Sequence, residues 1–121
     1  MSQSPADRHY TATHEWAQGA FPVTVGITRW AADQLGDIMF LTLPEIGETV
    51  TAGTVCAEID SVKTVGEVVA PVTGEVVEVN TVAQDDTALV NSDPFGAGWL
   101  FRVAAPAPEG LMDAAAYDAG R

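Results

Sequence analysis

A chain of 121 residues with seventeen acidic against five basic side chains, net charge −12, has no basic patch to replace phosphate counterions. That argues against a nucleic-acid partner and disfavours anionic membrane surfaces. The length suits one domain with a modest core, and no apolar run is long enough to span a bilayer.

In chain order, residues 1–8 read as a flexible lead with no apolar signal segment, and residues 9–121 as one domain. Residues 9–17 (HYTATHEWA) predict a first strand anchored by Tyr10 and Trp16. His14 and Glu15 are a weak metal pair, since His9 is the only other histidine. Gly19 marks a turn, and residues 21–27 (FPVTVGI) predict a second strand. Thr28 can cap a short helix running to about Leu35, with Gly36 as its stop. Trp30, Ala31 and Leu35 would form its buried face. Residues 37–43 (DIMFLTL) read as an apolar strand closed by Pro44, and Val50 opens a short extended piece.

The stretch from Val55 to Val79 holds the feature around which the chain is organised. Val55, Ala57 and Ile59 alternate with Glu58 and Asp60, and Val65, Val68 and Val69 follow a short polar turn. Lys63 stands in that turn and is the single lysine of the sequence. A strongly acidic chain with one lysine has not used lysine as general surface charge, so Lys63 is a candidate for covalent modification on a hairpin tip. Asp60, Glu58 and Glu67 would keep the free amine protonated, and amide formation would turn the side chain into a neutral tether. Cys56 is read as a small buried hydrophobe. As a lone thiol it excludes an intrachain disulfide and fits a reducing compartment, with the cytoplasm expected.

Residues 74–79 (GEVVEV) alternate as another strand, and residues 80–87 read as a polar loop or one helical turn. Leu89 and Val90 are expected to be extended, residues 91–98 to turn, and residues 99–103 (WLFRV) to form the last strand. Residues 109–119 suit an Ala-rich helix with Leu111, Met112, Ala115 and Tyr117 as its apolar positions. Gly47-Glu48-Thr49-Val50 echoes Gly74-Glu75-Val76-Val77, as a sandwich of two similar sheets would. Many short strands with Gly and Pro turns agree with a mainly β sandwich.

The chain lacks a nucleophile–histidine–acid set and a glycine-rich phosphate loop. Without a pocket, no carboxylate can be assigned acid–base work. It reads as a carrier rather than an enzyme.

Several runs together resemble the H protein family of the glycine cleavage system. They are Tyr10-Thr11 with His14-Glu15-Trp16, Val25-Gly26-Ile27-Thr28, Leu35-Gly36-Asp37 and Ser61-Val62-Lys63. They continue with Ala70-Pro71-Val72, residues 74–80 (GEVVEVN), residues 89–94 (LVNSDP) and Gly98-Trp99-Leu100-Phe101. The similarity extends over residues 9 to about 119. It implies a lipoyl/biotinyl-type hammerhead β-sandwich and (R)-lipoate in amide linkage on Lys63, placed there by lipoate-attaching enzymes. It implies three further partners: glycine decarboxylase loads the arm with an aminomethyl group, an aminomethyltransferase passes that group to tetrahydrofolate, and dihydrolipoamide dehydrogenase reoxidises the dithiol. It implies that Thr13, Glu15 and Glu67 line a cleft into which the loaded arm folds, a carboxylate there holding the cationic nitrogen. A monomer is expected.

The sequence departs from the family pattern in three places. Asp60 stands where glutamate is usual, Thr64-Val65-Gly66-Glu67 follows the lysine, and the loop between Trp16 and Val23 is slightly short. Rival readings are a biotin carrier, whose lysine sits between methionines where this chain has Val62 and Thr64, and a lipoyl domain of a 2-oxoacid dehydrogenase acyltransferase, which lacks the region from Asn91 onward. An H-like paralogue serving lipoate relay, sulfur metabolism or stress signalling is the alternative function. A β-sandwich without cofactor is the structural one.

Overall fold

The computed structural model describes residues 4–119 and places two antiparallel sheets of unequal size around the main core. The larger sheet contains β1 (His9–Tyr10), β2 (Glu15–Gly19), β3 (Val23–Ile27), β5 (Thr49–Val50), β8 (Gly74–Val79) and β9 (Phe101–Ala104), in the spatial order β1-β2-β3-β9-β8-β5. The smaller contains β4 (Ile38–Thr42), β6 (Val55–Ser61) and β7 (Val65–Val69), in the order β4-β6-β7. The chain is mainly β, as its valine-rich alternation predicts.

Alternation decides what each face buries. Ala17, Val25 and Ile27 from the large sheet join Leu41, Ile59 and Val68 from the small one in the core. The opposite face of the large sheet is covered too. There Tyr10 and Trp16 pack with Ala114 and Tyr117 under a C-terminal helix, α4 (Ala114–Ala119). Gly26 lies directly across from Trp16 in the register, and any side chain at Gly26 would meet the indole ring.

Helix α1 (Arg29–Leu35) forms as its caps predict. The Thr28 hydroxyl accepts from the Ala31 N–H at 3.3 Å, and Gly36 ends the helix at φ 73°. Its buried residues are Ala32 and Leu35, whereas Trp30 was expected inside and is 38% exposed. Trp30 instead stacks on the His14 imidazole, which draws the indole out over the surface.

Other expectations are corrected by hydrogen bonding. Residues 9–17 do not form one strand. The Thr11 N–H donates to the Glu15 carbonyl, the His14 N–H to the Thr11 carbonyl, and the Glu15 N–H to the Thr11 hydroxyl, which closes a turn between β1 and β2. Leu89 and Val90 are not extended. They lie in α3 (Ala88–Ser92), a single turn that follows another, α2 (Thr81–Asp85), and buries Val90, because so short an apolar pair has no period to separate strand from helix. Helix α4 starts later than residue 109. Met112 first bridges Tyr10 through two backbone hydrogen bonds (2.8 and 2.9 Å), and the Asp113 carboxylate then caps the helix at the Ala116 N–H. Ala114 and Tyr117 are its buried positions, and Ala115 is exposed.

The internal echo does not divide between the two sheets. Its two halves pair with each other inside the large one, Thr49 opposite Glu75 and Val50 opposite Gly74, so the likeness follows the local twofold of an antiparallel pair. Part of the expected lead is tied down, with the Ser4 hydroxyl donating to Asp118 at 2.7 Å and Arg8 to the Phe95 carbonyl at 2.7 Å. Residues 1–3 lie outside the described residues. Among the described residues no helix is long and apolar enough to cross a membrane.

Candidate functional site

Lys63 sits at the tip of the β6–β7 hairpin, and Ser61 builds the bend that presents it. The Ser61 N–H donates to the Thr64 carbonyl at 2.8 Å, and the Ser61 hydroxyl donates to the same carbonyl at 3.0 Å while accepting the Thr64 N–H at 3.1 Å. One serine thus meets most of the polar demands of the turn, so the Lys63 side chain need not help hold it. A second brace comes from outside the hairpin, where the Val62 N–H donates to the Asp37 carbonyl at 3.0 Å.

Asp37 is in turn held by neighbours. Asn91 in α3 accepts from the Ile38 N–H at 3.1 Å and donates to the Gly36 carbonyl at 2.7 Å, and Thr87 donates to the Ile38 carbonyl at 2.6 Å. The tip therefore rests on the α1–β4 connection, and that connection rests on α3. Lys63 is exposed, and among the described residues no carboxylate lies within ion-pair distance of its amine. Its Cε and Nζ lie 3.3 and 3.9 Å from where a side chain on Gly36 would begin. Glycine there serves both the left-handed turn and the lysine that lies over it.

From Leu35, one residue before Gly36, a cleft of about 170 Å³ runs between α1 and the free edge of β7. Leu35, Ile59, Ile27 and Ala31 give it apolar walls, and Trp30 of α1 and His14 of the β1–β2 turn also line it. Thr13, Glu15 and Glu67, singled out from the sequence, all line this same space. Glu67 is exposed and faces Glu58 across the hairpin.

Glu15 is 1% exposed and engaged at both oxygens. Its Oε1 accepts from the hydroxyls of Thr11 and Thr13, and its Oε2 accepts from the Val69 N–H at 3.0 Å. That last bond ties β2 of the large sheet to β7 of the small one. Burial pushes the Glu15 carboxyl above the ordinary glutamate range, against the lowering effect of its three donors. Of roughly four acceptor positions on a carboxylate, one on Oε2 is left over.

An aromatic group closes this end of the cleft. The His14 ring stacks on Trp30 at 4.0 Å and 27°, its Nδ1 lies 2.6 Å from the Tyr117 hydroxyl, and that hydroxyl lies 2.8 Å from the Thr28 hydroxyl. This group is not legible in chain order, since His14 and Tyr117 are 103 positions apart. The turn at residues 11–14 and the late start of α4 bring them together. Cys56 is half-buried, and burial pushes its thiol up to about 12, which makes it a poor nucleophile at neutral pH.

Comparison with known proteins gives this arrangement a family. The family described as glycine cleavage H-protein matches residues 8–119. This chain belongs to that family. The glycine cleavage system H protein of Beutenbergia cavernae is 53% identical over 116 residues, covering 95% of this chain and 94% of that one. The Escherichia coli H protein is 47% identical over 126 residues, covering 98% and 96%. A crystal structure of the Mycobacterium marinum H protein superposes with a TM-score of 0.91 at 48% identity, covering 97% of this chain and 98% of that one. The lysine tip and the cleft thus belong to a component of the glycine cleavage system.

Proposed function

We propose that this chain is a non-catalytic lipoyl carrier that moves the aminomethyl group of glycine from glycine decarboxylase to the aminomethyltransferase, in the cytoplasm, on an arm amide-linked to Lys63. The observation that carries the reading is the placement of its single lysine. It is exposed, free of ion pairs among the described residues, and lies over Gly36 at the mouth of a cleft. A lipoyl group fits that setting, because apolar walls lead from the lysine to a buried carboxylate. Once attached, lipoate supplies reductive capture of the aminomethyl group, its release to tetrahydrofolate, and return to the disulfide by dihydrolipoamide dehydrogenase.

The protein supplies position, shelter and a counter-charge. Ser61 and the Asp37 carbonyl hold the bend still, so an attaching enzyme meets one conformation of the tip. Glu15 supports docking because it is a buried carboxyl with no cation in ion contact among the described residues. An ammonium reaching the open position on Oε2 would gain a charge-assisted hydrogen bond and offset the burial that raises the carboxyl. Thr13 fixes the Glu15 rotamer through its hydroxyl. Glu67, exposed, adds negative charge at the rim. Walls of Leu35 and Ile59 keep water from the docked group and so slow loss of the one-carbon unit as formaldehyde.

The deciding experiment is reconstitution. Lipoylated protein, its added mass located on Lys63, is mixed with glycine decarboxylase, and exchange of label between bicarbonate and the glycine carboxyl is followed. Exchange above the level given by the unmodified chain is expected. Lipoylation without exchange would move the function to lipoate relay, and absence of any lipoyl increment would end the carrier reading.

A further inference from the structure

The cleft contains a group to which nothing above assigns a role toward the arm. Trp30 lines it, has one face on His14, and is 38% exposed. An indole so exposed on a helix that buries Ala32 and Leu35 forgoes much of the burial it could have had. Its place along the helix has a consequence. Gly36, over which Lys63 lies, is six residues from Trp30, about 9 Å of helical rise. A lipoyl chain runs six bonds from the lysine nitrogen to its ring. With bond lengths near 1.5 Å, the extended chain spans about 8 Å, and the sulfurs lie slightly beyond. The ring therefore arrives beside Trp30 when the arm follows the cleft along α1.

We propose that Trp30 is the seat of the dithiolane ring, a positioning residue that holds the arm docked through contact of its sulfurs with the indole. This rests on the carrier reading above. His14 stacks on one face of the indole, and the Tyr117 hydroxyl beside Nδ1 fixes the imidazole, so Trp30 is held in place before any arm arrives. Sulfur–aromatic contact of this kind changes a docked-to-free ratio by roughly two- to tenfold. That suits a tether that must dock and leave repeatedly.

The test uses the full chain, unmodified and lipoylated, with mass confirming the lipoyl increment. Disulfides quench indole emission on contact. Lipoylation should therefore lower tryptophan emission by a share of what Trp30 contributes among three indoles. Reduction of the ring by a water-soluble phosphine, which becomes its oxide as the dithiol forms, should restore it. The change should vanish in Trp30→Phe, because Trp16 and Trp99 both pack in the cluster on the other face of the large sheet. Phosphine should reduce the ring between about two- and tenfold faster in Trp30→Ala, and close to the wild-type rate in Trp30→Phe, which keeps an aromatic seat. A merely structural Trp30 would not give the lipoylation-dependent emission of the wild-type chain, which needs no variant to fold. Unchanged emission in a chain that carries the increment and supports exchange would overturn the Trp30 seat alone. Absence of the increment would overturn the carrier reading and the seat with it.

Discussion

The hairpin tip and the buried end of the cleft hold opposite charges in opposite settings. At the tip, Lys63 is exposed and its surroundings are satisfied without it, since Ser61 and Asp37 hold the backbone. At the far end, Glu15 is enclosed, and two hydroxyls and a backbone N–H depend on it. The lysine can change its chemistry without disturbing the fold, whereas the glutamate cannot be lost without loosening the tie between the sheets. Chemical freedom at one end of the cleft rests on structural commitment at the other.

The sharpest way to break this contrast is to substitute the lysine. Lys63→Arg keeps the charge but cannot form the lipoyl amide, so lipoylation and glycine-dependent exchange should be lost entirely. Stability should stay within about 0.5 kcal/mol of wild type, as for exposed positions generally. Urea unfolding and intact mass check both halves. A destabilised variant would show that the tip depends on its lysine after all.

The next largest effect is expected beside Glu15. Gly26→Ala places a methyl 2.5 Å from ring atoms of Trp16, whose Nε1 is held by the Pro94 carbonyl at 3.0 Å. The ring cannot yield without losing that bond, so the variant should lose about 3 kcal/mol, at the upper end for overpacking. Thermal unfolding would show this. A near-neutral result would mean that the buried end is softer than its contacts indicate.

Glu15→Ala should lose about 2 kcal/mol, because it leaves the part-buried Val69 N–H without its acceptor and removes the carboxylate that the Thr11 and Thr13 hydroxyls share. The pH dependence carries a sign. A carboxyl whose folded pKa is raised binds its proton more readily when folded. Its contribution to stability is fully present below the ordinary glutamate value and is lost as pH rises through the raised one. Wild type should therefore gain on Glu15→Gln as pH falls from 7 toward that range. A difference between the two that stays level with pH in urea titrations would contradict the burial of a titrating Glu15.

How much of this was legible in the residues follows the same division. The tip was open to reading because its signals are local: alternating valines, a polar turn and a single lysine. Thr28 and Gly36 likewise announce both ends of α1 within nine positions. The membership of Thr13, Glu15 and Glu67 in one cleft came from family resemblance, not from spacing. Position in sequence could not show that Glu15 is a buried tie, since its partner Val69 is 54 positions away. Trp30 misled because an aromatic on a short helix ordinarily faces the core, and nothing local announces that an imidazole will hold it outside. The turn at residues 11–14 was missed because strong β-formers flank it. Its threonine hydroxyls, which compete with the ladder, were the available signal.

Gly66 lies between the two ends and gives the smallest effect. A methyl there would come 2.9 Å from Leu35 Cδ2, a flexible side-chain tip on α1 rather than a fixed ring. Leucine can turn aside where Trp16 cannot, so Gly66→Ala should lose only about 1 kcal/mol. Leu35 and Gly66 both border the cleft near Lys63, so the added methyl and the displaced leucine would reshape its wall there. The arm should then dock less readily while attachment to Lys63 proceeds as before, because the tip is held by Ser61 and Asp37 and not by Leu35. Normal lipoylation with faster phosphine reduction of the ring is the expected pair of results. Slowed lipoylation would join tip and cleft into one mechanical unit and remove the contrast between them.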